Sequence, residues 1–183
     1  AGSARIAFER ALEKQQGHFA SVWMLAVLDL QERRPEEARR RLEAAVKFNP
    51  KSVDARIALI RVMVDQKAQP EQISAAIDDA IRAFPSESAP RVAKITWLAT
   101  ARDSKAAAEA AVAAMSALPA SPEILDAAGL ALAQVGDHQQ ALSAFNRLTS
   151  VVPRSPLPYF RIADLHSRRG DLAAVTSNLN RAF

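Results

Sequence analysis

Residues 136–153 read GDHQQALSAFNRLTSVVP. The stretch carries a Gly-Asp pair in front, a proline behind, and Ala141, Phe145 and Leu148 between them. Offsets of four and then three residues put those apolar side chains on one face of a helix. Glycine can adopt the left-handed backbone that closes a preceding helix, aspartate can cap the next one, and proline cannot continue it. The stretch therefore predicts one amphipathic helix with its own start and stop signals.

The same punctuation recurs along the chain. Pro50, Pro85, Pro119 and Pro153 each follow an apolar helical pattern, at spacings of 35, 34 and 34. Segments laid in that register align three columns. The first reads Ala4, Ala38, Ile73, Ala107, Ala141 and Val175; the second Phe8, Leu42, Ile77, Ala111, Phe145 and Leu179; the third Ala11, Ala45, Ala80, Ala114, Leu148 and Ala182. The outer columns are mostly small, as close helix approach requires, and the middle column carries the bulk. A further small column, Ala26, Ile60, Ile95, Gly129 and Ala163, belongs to the other helix of each unit. A two-helix unit of about 34 residues is the signature of a tetratricopeptide repeat.

This register predicts an all-α chain of about eleven helices, a right-handed superhelical solenoid of antiparallel helix pairs. It divides into a leading second helix at 4–18 and units at 19–52, 53–87, 88–121, 122–155 and 156–183. GD at 136–137 and 170–171 marks two turns within units, RD at 102–103 lacks the glycine, and RRPEEA at 33–38 uses proline in a first helical turn. The extra residue of the unit at Val53 is expected in DQKAQPEQ, 65–72. The chain enters ARIAFERALEK without a start signal and ends in LAAVTSNLNRAF on Phe183, expected to be exposed. It reads as a piece of a longer protein with more repeats or another domain to follow. Exposed terminal helices would allow a homodimer.

Composition narrows the function classes. There are only five glycines and few aromatic residues, which disfavours an extensive sheet. The absence of cysteine excludes disulfides, thiolate catalysis and cysteine–zinc sites. With 24 basic and 20 acidic residues, the charge of +4 is a small excess of mixed sign. ERRPEEARRR at 32–41 reads as a solvated helix face with intrahelical pairs, so nucleic acid is not an expected partner. No apolar run reaches the ~20 residues of a membrane span, and the piece itself reads as soluble. His18, His138 and His166 lack helical metal-site spacing; His166 reads as a structural histidine, the other two as solvated turn residues. Asp78 and Asp79 diverge on their helix, and no phosphate loop or nucleophile elbow occurs. No catalytic group, metal or cofactor is therefore expected.

In a two-helix solenoid the first helices line the concave surface, the usual binding site. The register points Trp23, Ile57, Val92, Asp126 and Phe160 inward, then Val27, Arg61, Thr96, Leu130 and Asp164. Asp54 and Glu123 flank one side; Asp65, Gln134 and Arg168 flank the other. The candidate partner-binding residues are thus Trp23, Val27, Ile57, Arg61, Asp65, Thr96, Glu123, Asp126, Leu130, Phe160, Asp164 and Arg168. Trp23 suits either a peptide or sugar anchor or packing on its neighbours. Trp97 and Tyr159 read as packing residues. A clamp for carboxy-terminal carboxylates is disfavoured: of Trp23, Val27, Ala58, Ala89 and Ala93, only Trp23 has a side-chain donor.

Beyond the repeat spacing, several blocks resemble the TPR-repeat lipoproteins of the PEP-CTERM/exosortase system of Gram-negative bacteria. They are FERALEK (8–14), LAVLDLQERRPEEARRRLEAAVKFNPKSVDARIALIRV (25–62), SAPRVAKITWL (88–98), ILDAAGLALAQVGDHQQALSAFNRLTSVVPRSPLPYFRIADLH (124–166) and LNRAF (179–183). The block at 124–166 is the most specific, and 63–120 carries less of the resemblance. What the resemblance implies is a long periplasmic or outer-membrane-associated protein, anchored by an N-terminal lipid, that acts as an assembly scaffold beside exopolysaccharide machinery. Three functions then stand side by side: a scaffold holding a protein or peptide in the groove, a carbohydrate-binding module using Trp23 and Phe160, and a structural spacer.

Overall fold

The computed structural model describes residues 2–182, all of whose regular structure is helical. Eleven helices follow in order: α1 (Gly2–Lys14), α2 (Phe19–Gln31), α3 (Pro35–Phe48), α4 (Val53–Asp65), α5 (Pro70–Ala83), α6 (Ser88–Thr100), α7 (Ser104–Ala117), α8 (Pro122–Gln134), α9 (His138–Val151), α10 (Leu157–Ser167) and α11 (Leu172–Ala182). Ala1 and Phe183 lie outside the described residues, so the expected exposure of Phe183 falls outside them too. The chain divides into two compact units, Ala1–Pro85 and Ser86–Phe183. Within each unit every helix packs on the next, and α2 also meets α4, as α6 meets α8.

Two kinds of joint alternate. In the first kind, after α2, α4, α6, α8 and α10, the chain turns through one left-handed residue: Arg33 (φ 58°), Lys67 (53°), Arg102 (62°), Gly136 (79°) and Gly170 (75°). The next N–H then bonds back across five residues, Arg34 to Asp29 O, Ala68 to Met63 O, Asp103 to Leu98 O, Asp137 to Leu132 O and Asp171 to His166 O, at 2.8–3.1 Å. This six-to-one bond closes the helix by satisfying a carbonyl that would otherwise be orphaned. Only two of the five positions hold glycine, so backbone bonding imposes the turn where the residue does not favour it. The second strand of the joint is a side-chain cap: Asp103, Asp137 and Asp171 accept from Ala106, Gln140 and Ala174 N–H. The turn from α4 to α5 is one residue longer than those after α2, α6 and α8, within the segment expected from sequence, and the turn after α10 is as long.

The second kind of joint follows α3, α5, α7 and α9. The capping residues Asn49, Phe84, Leu118 and Val152 share φ between −125° and −133° and ψ between 64° and 86°. Each precedes one of the four spaced prolines. A proline ring clashes with an α-conformation in the residue before it, which is why all four leave the helix at the same place. Ser52 and Ser121 then cap α4 and α8 by accepting from Ala55 and Ile124 N–H.

The aligned columns form the cores. In unit 1, Ala26, Ala38 and Leu42 are buried with Val22, Ala58 and Val62. In unit 2, one cluster centres on Ile95, Ala107, Ala111 and Ala114, and another on Phe145, Ala141, Leu132 and Ile162. Gly129 is the smallest member of a column that also holds Ile60 and Ile95, and the structure shows what its size permits. A Cβ there would lie 2.6 Å from Phe145 Cζ and 2.7 Å from its Cδ1. The Phe145 ring is itself 1% exposed and seats on bare α8 backbone.

One buried charge was not foreseen. Asp29 on α2 is 1% exposed and sits among three arginines. Its carboxylate accepts from Arg5 Nη2 of α1 at 2.9 Å and from Arg41 Nε of α3 at 3.0 Å, and Arg34 Nη2 lies at 3.4 Å. The reading of 32–41 as a purely solvated face is corrected accordingly. Arg39–Glu43 and Arg40–Glu37 are the expected intrahelical pairs, but Arg34 and Arg41 turn to Asp29. Burying a carboxylate costs several kcal/mol, which here the two hydrogen-bonded arginines and the third close by offset.

Candidate functional site

Unit 2 contains a cleft of about 780 Å3. Its wall on α6 is Val92, Ile95, Thr96, Ala99 and Thr100; its wall on α8 runs from Pro122 and Glu123 through Asp126 and Leu130 to Gln134. Leu148 and Val152 at the end of α9 close the floor, and Ser155 and Leu157 close one side. Both walls repeat at three- and four-residue spacing, so each helix presents one continuous face. Ile95, Ala131 and Leu148 are buried floor, whereas Thr96, Thr100, Glu123 and Gln134 are exposed at the rim. The volume falls within the ~300–1,000 Å3 of ordinary ligand pockets, and an apolar floor under a polar rim matches their make-up.

The structure brings four of the predicted residues into this cleft: Thr96, Glu123, Asp126 and Leu130, with Val92 and Gln134 beside them. A smaller cavity of about 80 Å3 adjoins α8 and α10, lined by Leu130, Arg161, Asp164 and Arg168 among others. Phe160 is 39% exposed on α10. The remaining predicted residues lie in unit 1, on α2 and α4. There Trp23, Val27 and Ile57 are half-buried, and Arg61 and Asp65 are exposed. Trp23 packs against the core of its unit, so part of the indole is committed to packing.

Charges in the cleft are not equivalent. Arg161 donates to Asp126 through both Nε and Nη2, at 2.7 and 3.0 Å, a bidentate fork that neutralises the carboxylate. The bond to Asp126 in turn raises the Arg161 guanidinium above its ordinary value, against the opposing effect of burial. Asp164 is paired with Arg168 at 2.9 Å. Glu123 instead accepts from the Ser121 hydroxyl at 2.7 Å. That bond, then its own backbone N–H, hold Glu123 below the usual glutamate range; burial opposes them and Ser88 adds to them.

Arg161 was missed by sequence reasoning because it sits one residue beyond the inward column occupied by Phe160, and only the long guanidinium reaches back to α8. Thr100 and Leu157 share the flanking columns of Asp65, Gln134 and Arg168 and of Asp54 and Glu123, and were missed because other members of those columns were named in their place. The histidines differ among themselves. His166 Nδ1 lies 3.4 Å from Asp171, as a structural histidine would, and His18 Nδ1 pairs with Ser21 Oγ at 2.8 Å. His138, read as solvated, is half-buried at the start of α9 with Nδ1 enclosed. Tyr159 is half-buried and stacks under Arg181, 4.9 Å from ring centroid to guanidinium. No helix among the described residues is long and apolar enough to cross a membrane.

Comparison with known proteins agrees with this geometry. The sequence profile described as tetratricopeptide repeat matches residues 24–88 and 127–174, more than half of the chain. A comparison with curated proteins finds no match. Among solved structures, the fold is similar to YrrB, described as a TPR protein with an unusual peptide-binding site, at 19% identity and a TM-score of 0.59, covering 96% of this chain and 90% of that one. It is similar to MamA at 15% identity and a TM-score of 0.64, covering 86% and 91%. It is also similar to pilF of Pseudomonas aeruginosa at 18% identity and a TM-score of 0.64, covering 99% and 76%.

Proposed function

The chain belongs to the tetratricopeptide repeat family, whose members typically serve as non-catalytic protein–protein interaction scaffolds, and from that premise we propose that it holds a polypeptide segment of its partner in the unit-2 cleft. The observation that carries this reading is the convergence of Thr96, Glu123, Asp126 and Leu130 on one apolar-floored cleft. The peptide-binding site for which YrrB is described supports the ligand class. Trp23, Val27, Ile57, Arg61 and Asp65 are proposed as a separate contact surface on unit 1. The setting is proposed from sequence blocks: their resemblance to the PEP-CTERM/exosortase lipoproteins supports an envelope scaffold beside exopolysaccharide machinery, periplasmic or outer-membrane-associated.

The test is a photo-crosslinking residue placed at Thr96, on the cleft rim, and in a parallel protein at Asn146, exposed on α9 outside it. Crosslinking in native cells is expected to give a discrete protein adduct from position 96 and none from 146. Retention of polysaccharide without a protein adduct would favour the carbohydrate reading. Equal adducts, or none, at both positions would overturn the cleft assignment and favour the spacer.

A further inference from the structure

The charge lining this cleft runs against the charge of the whole chain. The protein carries 24 basic and 20 acidic residues, yet the charged side chains lining the cleft are Glu123 and Asp126, both acidic. Asp126 is neutralised by the two-pronged bond from Arg161. Glu123 is not: its carboxylate accepts from the Ser121 hydroxyl, which carries no charge, and no ion pair involves it among the described residues. A carboxylate can accept about four hydrogen bonds, so Glu123 retains capacity facing the cleft. The hydroxyl bond also fixes where that capacity lies, since Ser121 is itself held as the cap of α8. Beside this charge, Val92, Ile95 and Leu130 offer apolar surface.

We propose that the cleft selects a polypeptide segment in which a lysine or arginine is flanked by apolar side chains, the cation meeting Glu123 and the apolar groups covering Val92, Ile95 and Leu130. This deepens the scaffold reading above and rests on it. Specificity comes from Glu123, the one of the two acids lining the cleft that has no cation partner among the described residues. A segment with a carboxylate at that position would face Glu123 as a like charge and be rejected, so the cleft discriminates by repulsion as well as attraction. Glu123 also stands in the first turn of α8, where a negative charge favours the helix, so the test must separate binding from stability.

The protein is used to select binders from a random nonapeptide phage library, and the enriched consensus is synthesised with a fluorophore. Anisotropy titrations compare the parent, Glu123→Gln, and Glu109→Gln on α7 outside the cleft. A second peptide has its basic residue replaced by glutamine. The expected consensus holds one basic residue between apolar ones. Glu123→Gln should weaken that peptide about three- to tenfold, as a rim ion pair would, Glu109→Gln should not, and added salt should erase the difference. The glutamine peptide should bind the parent and Glu123→Gln alike, a coupling that a loss of stability alone would not produce. Enriched peptides without a basic position, or without coupling to Glu123, overturn the cation inference and leave the peptide-scaffold reading in place. A selection that enriches no peptide overturns both.

Discussion

Replacing Gly129 by alanine tests the fit on which unit 2 is built. In a helix interior alanine is normally favoured over glycine by about 0.8–1.0 kcal/mol. Here the added Cβ would fall 2.6 and 2.7 Å from two atoms of the Phe145 ring, well inside contact. The ring cannot swing away, because it is 1% exposed and packed with Leu132, Ala141, Ile162 and Leu165. Overpacking of this kind costs about 1–3 kcal/mol, and with the ring face blocked the upper end applies. Gly129→Ala should therefore destabilise unit 2 by about 2 kcal/mol, the clash less the propensity gain. In a Phe145→Val background the close ring atoms are gone, and the same substitution should stabilise by about 1 kcal/mol. The assay is urea unfolding followed by Trp97 fluorescence, with Trp23→Phe in every variant so that the signal reports unit 2. A destabilisation of equal size in both backgrounds, or a stabilisation in the parent, would refute the interlock.

The left-handed turn residues make a second prediction: Arg102→Gly should raise stability by up to about 1 kcal/mol, and Gly136→Ala should lower it by a similar amount, both read by denaturant midpoint. Asp29→Asn removes the charge that gathers Arg5, Arg34 and Arg41, and because those arginines keep part of their contact with water it should cost unit 1 about 1–3 kcal/mol, more than Arg40→Ala on the exposed side of α3; a loss no greater than that of Arg40→Ala would refute the hub. For pH, the folded state holds Glu123 below the usual glutamate range, so its contribution is present above that range and lost as pH falls through the lowered value. Because Glu123 is exposed the effect on stability is small, and it should vanish in Glu123→Gln when unfolding midpoints are compared across acidic pH.

Much of the fold was legible because its signals are local and repeated. Four prolines force the same backbone exit, and the stripe through Ala141, Phe145 and Leu148 is a property of helical spacing alone. The left-handed turns at Arg33, Lys67 and Arg102 were harder to read, since nothing in an arginine or a lysine announces a positive φ; their identity follows from position in the period. The cleft was legible where it depends on helix faces, as for Thr96 and Leu130. It was not legible where it depends on reach. Whether Asp126 offers a free charge is decided by Arg161, thirty-five residues away, and whether 32–41 is a solvated face is decided by Asp29 on another helix.

The unequal joints also bear on the order in which the chain acquires its structure. In an array stabilised by nearest neighbours, folding can start at any pair and spread outward, so it starts where ordering the backbone costs least. The α8–α9 pair has a glycine at its left-handed joint, side-chain caps on both helices, and the Phe145 ring seated on Gly129. The α2–α3, α4–α5 and α6–α7 pairs must each force a side-chain-bearing residue into the same turn. In unit 2 the α10–α11 pair also has a glycine at its joint, but α10 lacks a side-chain cap and no ring seats on that joint. The expected nucleus of the unit is therefore α8–α9, and a Phe145→Leu substitution there should slow refolding more than it speeds unfolding.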